Sequence, residues 1–326
     1  MTSVPDLSVA MGEISLTRLG YGAASIGNHR KELSDAEADR ILEAAWASGI
    51  RHFDTAPHYG LGLSERRLGR FLAGRPRDQY VVSTKVGRLL QPDPAGAGHL
   101  DDEDFVVPAT HRRVWDFSAA GVRRSIEESL GRLGLDRVDV LYLHDPERWD
   151  LRRGVAEGLP ALVRVRDEGL TAAIGIGSMQ TAALVAAART GAADLLMVAG
   201  RYTLADQLGA AELLDVCRDN EVGIVAAAVF NGGLLAGPVT DASTFDYRPA
   251  SAAVLARARR IEAVCASFDV PLRAAALQYP LREPLVRSVV VGGTSADQVR
   301  QNATDMARDI PPQLWDRLRA EGLVTA

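Results

Sequence analysis

The sequence predicts one α/β domain over residues 1–326, built as a single (β/α)8 TIM barrel. Short apolar segments alternate with longer amphipathic segments about eight times, with short connections between them. Most of the short segments are apolar throughout, as expected of parallel strands that are covered on both faces. No change of composition marks a linker, so the alternation favours one barrel over two domains.

A doubly wound sheet is the competing α/β architecture. That fold places a Gly-x-Gly-x-x-Gly fingerprint after an early strand, where it lets the backbone approach a pyrophosphate. Gly20-x-Gly22 and Gly175-x-Gly177 both lack the third glycine. The missing fingerprint disfavours the doubly wound sheet.

The N-terminal elements follow from local signals. Residues 7–10 and 14–16 alternate as a small hairpin would, and residues 18–22 form the first barrel strand. Ser34 and Glu37 make a capping box that begins a helix through Ala47, and Gly49 ends it. Residues 50–54 return as a strand.

The same pattern predicts the remaining elements. Further strands are expected over residues 80–85, 138–144, 172–177, 195–199, 222–227 and 288–291. Helices are expected from Ser64 to 72, from Ser118 to 133, and over residues 154–168, 181–189, 205–218, 251–268, 272–279 and 295–307, with a C-terminal helix after Pro311.

One connection, from Gly87 to Trp115, is much longer than the others. It carries prolines, glycines and the acidic run of residues 101–104, and it follows the third barrel strand. Loops after the carboxyl ends of barrel strands lie over the mouth of the barrel. The segment is interpreted as a lid or substrate loop, with a solvated insertion as the alternative.

Composition narrows the function classes. The net charge of −5 disfavours a nucleic-acid or membrane-surface partner, so a small molecule is expected. The two cysteines, Cys217 and Cys265, form no metal-binding or disulfide spacing, and the six histidines are scattered, so no metal site is expected. No long apolar segment or leader pattern occurs, and we expect a cytoplasmic protein of undetermined oligomeric state.

Four polar residues lie at the predicted carboxyl ends of neighbouring strands. Asp54 and Tyr59 follow the second strand, Lys85 ends the third and His144 ends the fourth. Each has an ordinary explanation alone, such as a turn cap or a satisfied interior histidine. Their convergence at one mouth instead predicts a catalytic site.

These residues and their surroundings resemble the aldo-keto reductase superfamily. The resemblance runs from about Gly20 to Asn302 and rests on FDTAPHYG (53–60), STKVG (83–87), SIEESLGRLGLDRVDVLYLHDPE (125–147) and GIGS (175–178). The His-Asp-Pro sequence and NGGLL (231–235) are most similar to the aldose 1-dehydrogenase branch. That branch includes L-fucose, D-threo-aldose and L-galactose dehydrogenases and pyridoxal 4-dehydrogenase.

The resemblance implies an NAD(P)-dependent oxidoreductase with Tyr59, Lys85, Asp54 and His144 as its catalytic tetrad. Tyr59 would exchange the proton, and Lys85 would favour its phenolate, because a free phenol titrates near pH 10. Asp54 would hold Lys85 charged, and His144 would orient the substrate oxygen. In the direction expected of the branch, an aldose is oxidised at its anomeric hydroxyl to a lactone.

The resemblance also implies a set of cofactor contacts. They are Gly22, Asp54, Ser178, Phe230, Gly232, Leu234, Gly292, Gly293, Gln298, Gln301 and Asn302. NADPH-dependent members bind the 2′-phosphate with a Lys-Ser pair and an Arg, and Gly292, Gly293 and Gln298 stand at those positions here. Since these residues carry no cation, NAD is expected in preference to NADP.

His58, Trp115 and Asn231 are predicted to contact the substrate, and this mixture of an aromatic and polar groups suits a polar ring such as a sugar. Pyridoxal oxidation and general carbonyl reduction on the same site remain alternatives. A nicotinamide-binding regulatory subunit that senses redox state is the non-enzymatic alternative.

Overall fold

The computed structural model describes residues 8–11, 14–96, 98–246 and 248–325. The strands in these ranges are β1 (Ser8–Met11), β2 (Ile14–Thr17), β3 (Leu19–Gly22), β4 (His52–Asp54), β5 (Val81–Val86), β6 (Arg88–Pro92), β7 (His111–Trp115), β8 (Val140–His144), β9 (Ala173–Ser178), β10 (Leu195–Ala199), β11 (Gly223–Ala227), β12 (Thr244–Phe245), β13 (Arg248–Pro249) and β14 (Val286–Val291). The α-helices are α1 (Asp35–Ala47), α2 (Leu63–Leu72), α3 (Ala119–Leu133), α4 (Leu151–Arg153), α5 (Leu159–Asp167), α6 (Thr181–Ala188), α7 (Ala210–Asp219), α8 (Ala252–Ser267), α9 (Leu272–Gln278), α10 (Ala296–Met306) and α11 (Pro312–Ala320).

Eight of these strands close a parallel barrel, which confirms the predicted fold. Their order around the barrel is β3, β4, β5, β8, β9, β10, β11 and β14, and β14 pairs with β3 to complete the ring. Every residue of β5 is buried, as expected of a strand covered on both faces, although Ser83, Thr84 and Lys85 are polar. Because all eight strands run the same way, their carboxyl ends meet at one mouth.

The predicted N-terminal hairpin covers the opposite end of the barrel. Strands β1 and β2 pair antiparallel, with Ser8 opposite Thr17; Leu7 lies outside the described residues. Ile14 and Leu16, on one face of β2, pack against the first residues of barrel strands, including Val81 and Val140. An apolar plug therefore fills the amino end of the barrel interior.

The long segment after β5 contains a paired ribbon as well as a loop. Strands β6 and β7 pair antiparallel, with Arg88 opposite Trp115, and both Leu89 and Leu90 are buried. The sequence analysis predicted only a loop here because glycine, proline and the acidic run dominate the segment. The pairing joins residues far apart in the chain, a signal that local patterns do not carry.

Two predicted helix starts are wrong. Helix α2 begins at Leu63 after Gly62, whose φ of +83° suits a glycine, and Ser64 lies inside the helix. The Ser64 hydroxyl donates to the Ala23 carbonyl instead of capping the helix. Helix α7 begins at Ala210 instead of residue 205, because residues 203–209 form a turn that ends at Gly209 with φ of +71°.

The helix predicted over residues 154–168 is also divided. A π-helical turn over Gly154–Gly158 follows α4 and precedes α5. A side chain at Gly158 would approach Leu143 Cδ2 to 2.8 Å, so close contact with β8 favours glycine there. In the described ranges, no helix has the length and apolarity that crossing a membrane requires.

Candidate active site

The four predicted catalytic residues meet at the mouth of the barrel. Asp54 is the last residue of β4, Lys85 lies near the end of β5, and His144 is the last residue of β8. Tyr59 lies in the loop between β4 and α2. Asp54, Lys85 and His144 are all buried, and the opposite charges of Asp54 and Lys85 lie in direct hydrogen-bond contact.

Lys85 is the centre of this cluster. Its Nζ donates to Asp54 Oδ2 at 2.6 Å, to the Thr55 carbonyl at 2.9 Å and to the Tyr59 hydroxyl at 3.3 Å. An ammonium group has three hydrogens, and these three acceptors use all of them. The position of the ammonium group is therefore fixed against Tyr59.

The buried charges shift the proton affinities of both partners. Burial tends to lower the pKa of Lys85, but Asp54 and Tyr59 outweigh it and leave that pKa above its ordinary value. Burial raises the pKa of the Tyr59 phenol, while the adjacent Lys85 opposes the rise. Lys85 is thus a stable cation, and Tyr59 is a phenol whose proton affinity depends on it.

A second hydrogen-bond layer lies beneath Asp54. The Ser83 hydroxyl donates to Asp54 Oδ1 at 2.7 Å, so both carboxylate oxygens are engaged. His52 Nε2 lies 3.4 Å from Ser83 Oγ, and His52 Nδ1 lies 3.1 Å from Ser288 Oγ. Burial lowers the pKa of His52 to about 3, which keeps this interior ring neutral.

Ser83 is a site residue that was not predicted, although the sequence carries a signal for it. Ser83 and Lys85 are two residues apart on β5, and side chains at that spacing point to the same side of a strand. If Lys85 faces the barrel interior, Ser83 must face it one layer below. The alternation of side-chain direction along STKVG therefore indicates that Ser83 can support Asp54 from inside the barrel.

His144 completes the cluster on the β8 side. Its ring centroid lies 6.0 Å from that of Tyr59 and 5.6 Å from that of His58. Burial, together with the cations Arg88 and Lys85, lowers the pKa of His144 well below its ordinary value. A neutral ring next to the Tyr59 phenol can exchange a hydrogen bond with a substrate oxygen without bringing in a charge.

A cavity of about 510 Å³ opens above the tetrad. Apart from the tetrad residues Asp54, Tyr59, Lys85 and His144, its lining includes the following predicted contacts: Gly22, Ser178, Phe230, Asn231, Gly232, Gly292, Gly293 and Gln298. It also includes residues that the sequence analysis did not single out as contacts: Asp145, Met179, Met197, His29 and Thr294. The cavity therefore runs from the tetrad to the turn that precedes α10.

Several predicted contacts do not line this cavity. Leu234 is fully buried in the core, and Trp115 stacks on Trp149 beside the ribbon. Gln301 donates to Asp305, while Asn302 donates to the Gly292 carbonyl from below. In the described structure, Asn302 supports the turn that lines the cavity.

His58 and Asn231 lie at the mouth, but their polar atoms already have protein partners. His58 Nδ1 accepts from Arg113 Nε at 2.5 Å. The Asn231 amide donates to the Gly200 carbonyl and accepts from Thr203. Asn231 reaches the cavity as part of its wall with its hydrogen bonds satisfied.

Comparison with known proteins gives the family. The sequence profile of the Aldo/keto reductase family matches residues 18–321. The chain belongs to the aldo/keto reductase family. It is 53% identical to a D-threo-aldose 1-dehydrogenase from Pseudomonas sp., over 99% of both chains. It is 38% identical to a pyridoxal 4-dehydrogenase from Microbacterium luteolum, over 96% of both chains.

A solved structure supports the same fold. The holo form of an aldo-keto reductase from Bacillus halodurans superposes with a TM-score of 0.78, covering 98% of this chain and 96% of that one, at 24% identity. The family and the relatives make this chain an oxidoreductase. In the described part of the chain, no group of three or more His, Cys, Asp or Glu residues is arranged to hold a metal ion.

The first prediction for this aldo/keto reductase concerns the Tyr59 hydroxyl. Tyr59→Phe should lower turnover at least about a hundredfold, the scale of a lost acid/base group. The fold should persist, because the ring keeps its contacts and Lys85 keeps Asp54 and the Thr55 carbonyl. Steady-state kinetics and thermal unfolding measure the two effects.

Tyr142→Phe is the matched control. It removes a hydroxyl from the same barrel, and that hydroxyl has no partner among the described residues. Turnover should stay near the wild-type value. Near wild-type turnover in Tyr59→Phe as well would contradict a role for Tyr59 in proton transfer.

Proposed function

We propose that this aldo/keto reductase oxidises the anomeric hydroxyl of an aldose to a lactone, with NAD as the hydride acceptor. The observation that carries the proposal is the 3.3 Å contact between Lys85 and the Tyr59 hydroxyl at the mouth of the barrel. The 53% identity to a D-threo-aldose 1-dehydrogenase supports the substrate class. Reduction of a carbonyl is the same reaction in reverse.

In this mechanism Tyr59 is the general base. Its oxygen takes the proton of the anomeric hydroxyl, and Lys85 stabilises the phenolate that must be present before the transfer. The neutral ring of His144 holds the same substrate oxygen. A bound nicotinamide ring would supply the acceptor for the hydride that leaves the anomeric carbon as the carbonyl forms.

Two features of the cavity suit such a cofactor. Gly22 and Gly292 line it side by side at the ends of the paired strands β3 and β14, and a side chain at position 292 would come within 3.3 Å of the Gly22 carbonyl. The cavity then reaches residues 292–294, just before the N-terminus of α10, where first-turn N–H groups and the helix dipole favour a phosphate. An elongated dinucleotide suits both features.

The hydroxyl of Ser178, a predicted cofactor contact, already has protein partners. The Ser178 hydroxyl donates to Glu147 Oε1 at 2.6 Å and accepts from the Gln180 N–H. Its single hydrogen is therefore already used. In the proposed complex, Ser178 would accept a hydrogen bond from the carboxamide group of the nicotinamide ring instead of donating one.

The preference for NAD follows from the turn before α10. The cavity lining at this turn, Gly292, Gly293, Thr294 and Gln298, carries no positive charge, and the Gln298 side-chain Oε1 accepts from the Thr294 N–H. Arg273 reaches Asn302, but Asp305 lies 2.5 Å from its guanidinium and neutralises it. A 2′-phosphate would lack charge-assisted hydrogen bonds worth about 1.5–3 kcal/mol each.

Pyridoxal is the second candidate substrate, supported by the 38% identity to a pyridoxal 4-dehydrogenase. An absorbance assay at 340 nm with NAD separates the two. L-fucose, D-arabinose and L-galactose should be oxidised with higher kcat/KM than pyridoxal or simple alcohols, and Tyr59→Phe should be inactive on all of them. Pyridoxal turnover without aldose turnover would refute the aldose assignment.

Cofactor preference gives a separate prediction. The wild-type enzyme should favour NAD over NADP in kcat/KM by at least about tenfold, the cost of one lost charge-assisted hydrogen bond. Gln298→Arg should improve use of NADP by about tenfold to a hundredfold, because it returns a cation to the turn.

Thr304→Arg controls for net charge, since Thr304 is an exposed residue of the same helix that does not line the cavity. This variant should leave the preference for NAD over NADP unchanged. A wild-type enzyme that favours NADP, or equal effects of the two arginine variants, would contradict this account of the turn.

A further inference from the structure

Asp145 brings a second carboxylate into the cavity, directly after His144. It lines the cavity, and its Oδ2 lies 3.7 Å from His144 Nε2. Its backbone has φ of 44° and ψ of 55°, a left-handed conformation that is uncommon outside glycine, and its N–H donates to the Gly177 carbonyl. The turn thus holds the carboxylate beside the place where the substrate oxygen would bind.

Arg88 compensates the charge of this carboxylate. Arg88 Nη2 donates to Asp145 Oδ2 at 2.6 Å, and the Arg88 side chain is only 3% exposed. Its guanidinium lies over the Trp115 ring at 4.4 Å, at the base of the β6–β7 ribbon. Because Arg88 neutralises Asp145, the pair does not select a cationic substrate.

The second oxygen, Oδ1, is available to a ligand. No described residue donates a hydrogen bond to it, and the Asp145 side chain, which lines the cavity, is 19% exposed. A carboxylate is an acceptor only, so its natural partner is a hydroxyl or amine hydrogen. With a neutral His144 on the reacting oxygen, a hydroxyl on the next carbon would lie toward Asp145.

We propose that Asp145 determines specificity by accepting a hydrogen bond from the substrate hydroxyl adjacent to the reacting carbon, with Arg88 holding the carboxylate in place. This inference rests on the proposed function and deepens it. The site then selects substrates that carry a vicinal hydroxyl, which every ordinary aldose has and a simple alcohol or a 2-deoxy sugar lacks.

The test compares an aldose with its 2-deoxy analogue in the full-length enzyme. Wild type should favour the aldose in kcat/KM by about tenfold to a hundredfold, the effect of one charge-assisted hydrogen bond. Asp145→Asn keeps an oxygen for Arg88 but loses the charge, and Asp145→Ala loses both. Each variant should have a lower kcat/KM for the aldose, while its kcat/KM for the 2-deoxy sugar stays within about threefold of the wild-type value. The preference for the aldose over the 2-deoxy sugar is then lost.

A binding measurement separates this inference from the proposed function. A 1,5-anhydroalditol has the vicinal hydroxyl but no oxidisable anomeric hydroxyl, and its inhibition constant should rise about tenfold in Asp145→Asn. Absence of aldose turnover in wild type would refute the proposed function. Aldose turnover with an unchanged preference in Asp145→Asn would refute only the role of Asp145.

Structural damage has a different signature. If Asp145 only anchors Arg88 and the ribbon, its variants should impair the aldose and the 2-deoxy sugar equally, and that result would overturn the proposal. Asp102→Asn is the charge control, because Asp102 is an exposed carboxylate between β6 and β7 that does not line the cavity. This variant should leave kcat/KM unchanged for both the aldose and the 2-deoxy sugar. Thermal unfolding of each variant tests whether the fold remains stable when Arg88 lacks its carboxylate partner.

Discussion

The buried ion pair between Lys85 and Asp54 is the interaction on which the rest of the site depends. Both side chains are almost fully buried, and an isolated charge in such a place would be costly. The pair is held by strand register: Asp54 of β4 lies opposite Ser83 of β5, which puts Lys85 two residues further toward the mouth. The closed barrel fixes that register, so the fold itself positions the ammonium group against Tyr59.

The polar groups around this pair form two layers with different tasks. Below it, the Ser83 hydroxyl binds the remaining oxygen of Asp54, and the neutral His52 contacts Ser83 from the barrel interior. Above it, Tyr59 and His144 face the cavity. The ribbon after β5 contributes Arg88 to the same mouth, so the long segment and the tetrad meet at Asp145. In the proposed mechanism, His144, which holds the reacting oxygen, and Asp145, which selects the substrate, are therefore neighbouring residues at the end of β8.

Much of this arrangement could be predicted from the sequence, because it depends on local patterns. The alternation of apolar strands and capped helices predicted the barrel, and polar residues at the ends of neighbouring strands predicted that Asp54, Lys85 and His144 converge. The missed features depend on contacts between distant parts of the chain. The β6–β7 pairing, the burial of Ser64 against Ala23 and the orientation of Asp145 toward Arg88 have no local pattern that indicates them.

The most direct test is the proton affinity of Lys85. The chain has two lysines, Lys31 and Lys85, and Lys31 is exposed, so Lys31→Arg leaves one lysine for NMR of isotopically labelled side chains. The account predicts that Lys85 stays protonated beyond the ordinary lysine pKa of about 10.4, and that Asp54→Asn lowers its pKa markedly because burial is then unopposed. A Lys85 that loses its proton near neutral pH in the wild-type site, or one that Asp54→Asn leaves unchanged, would contradict it.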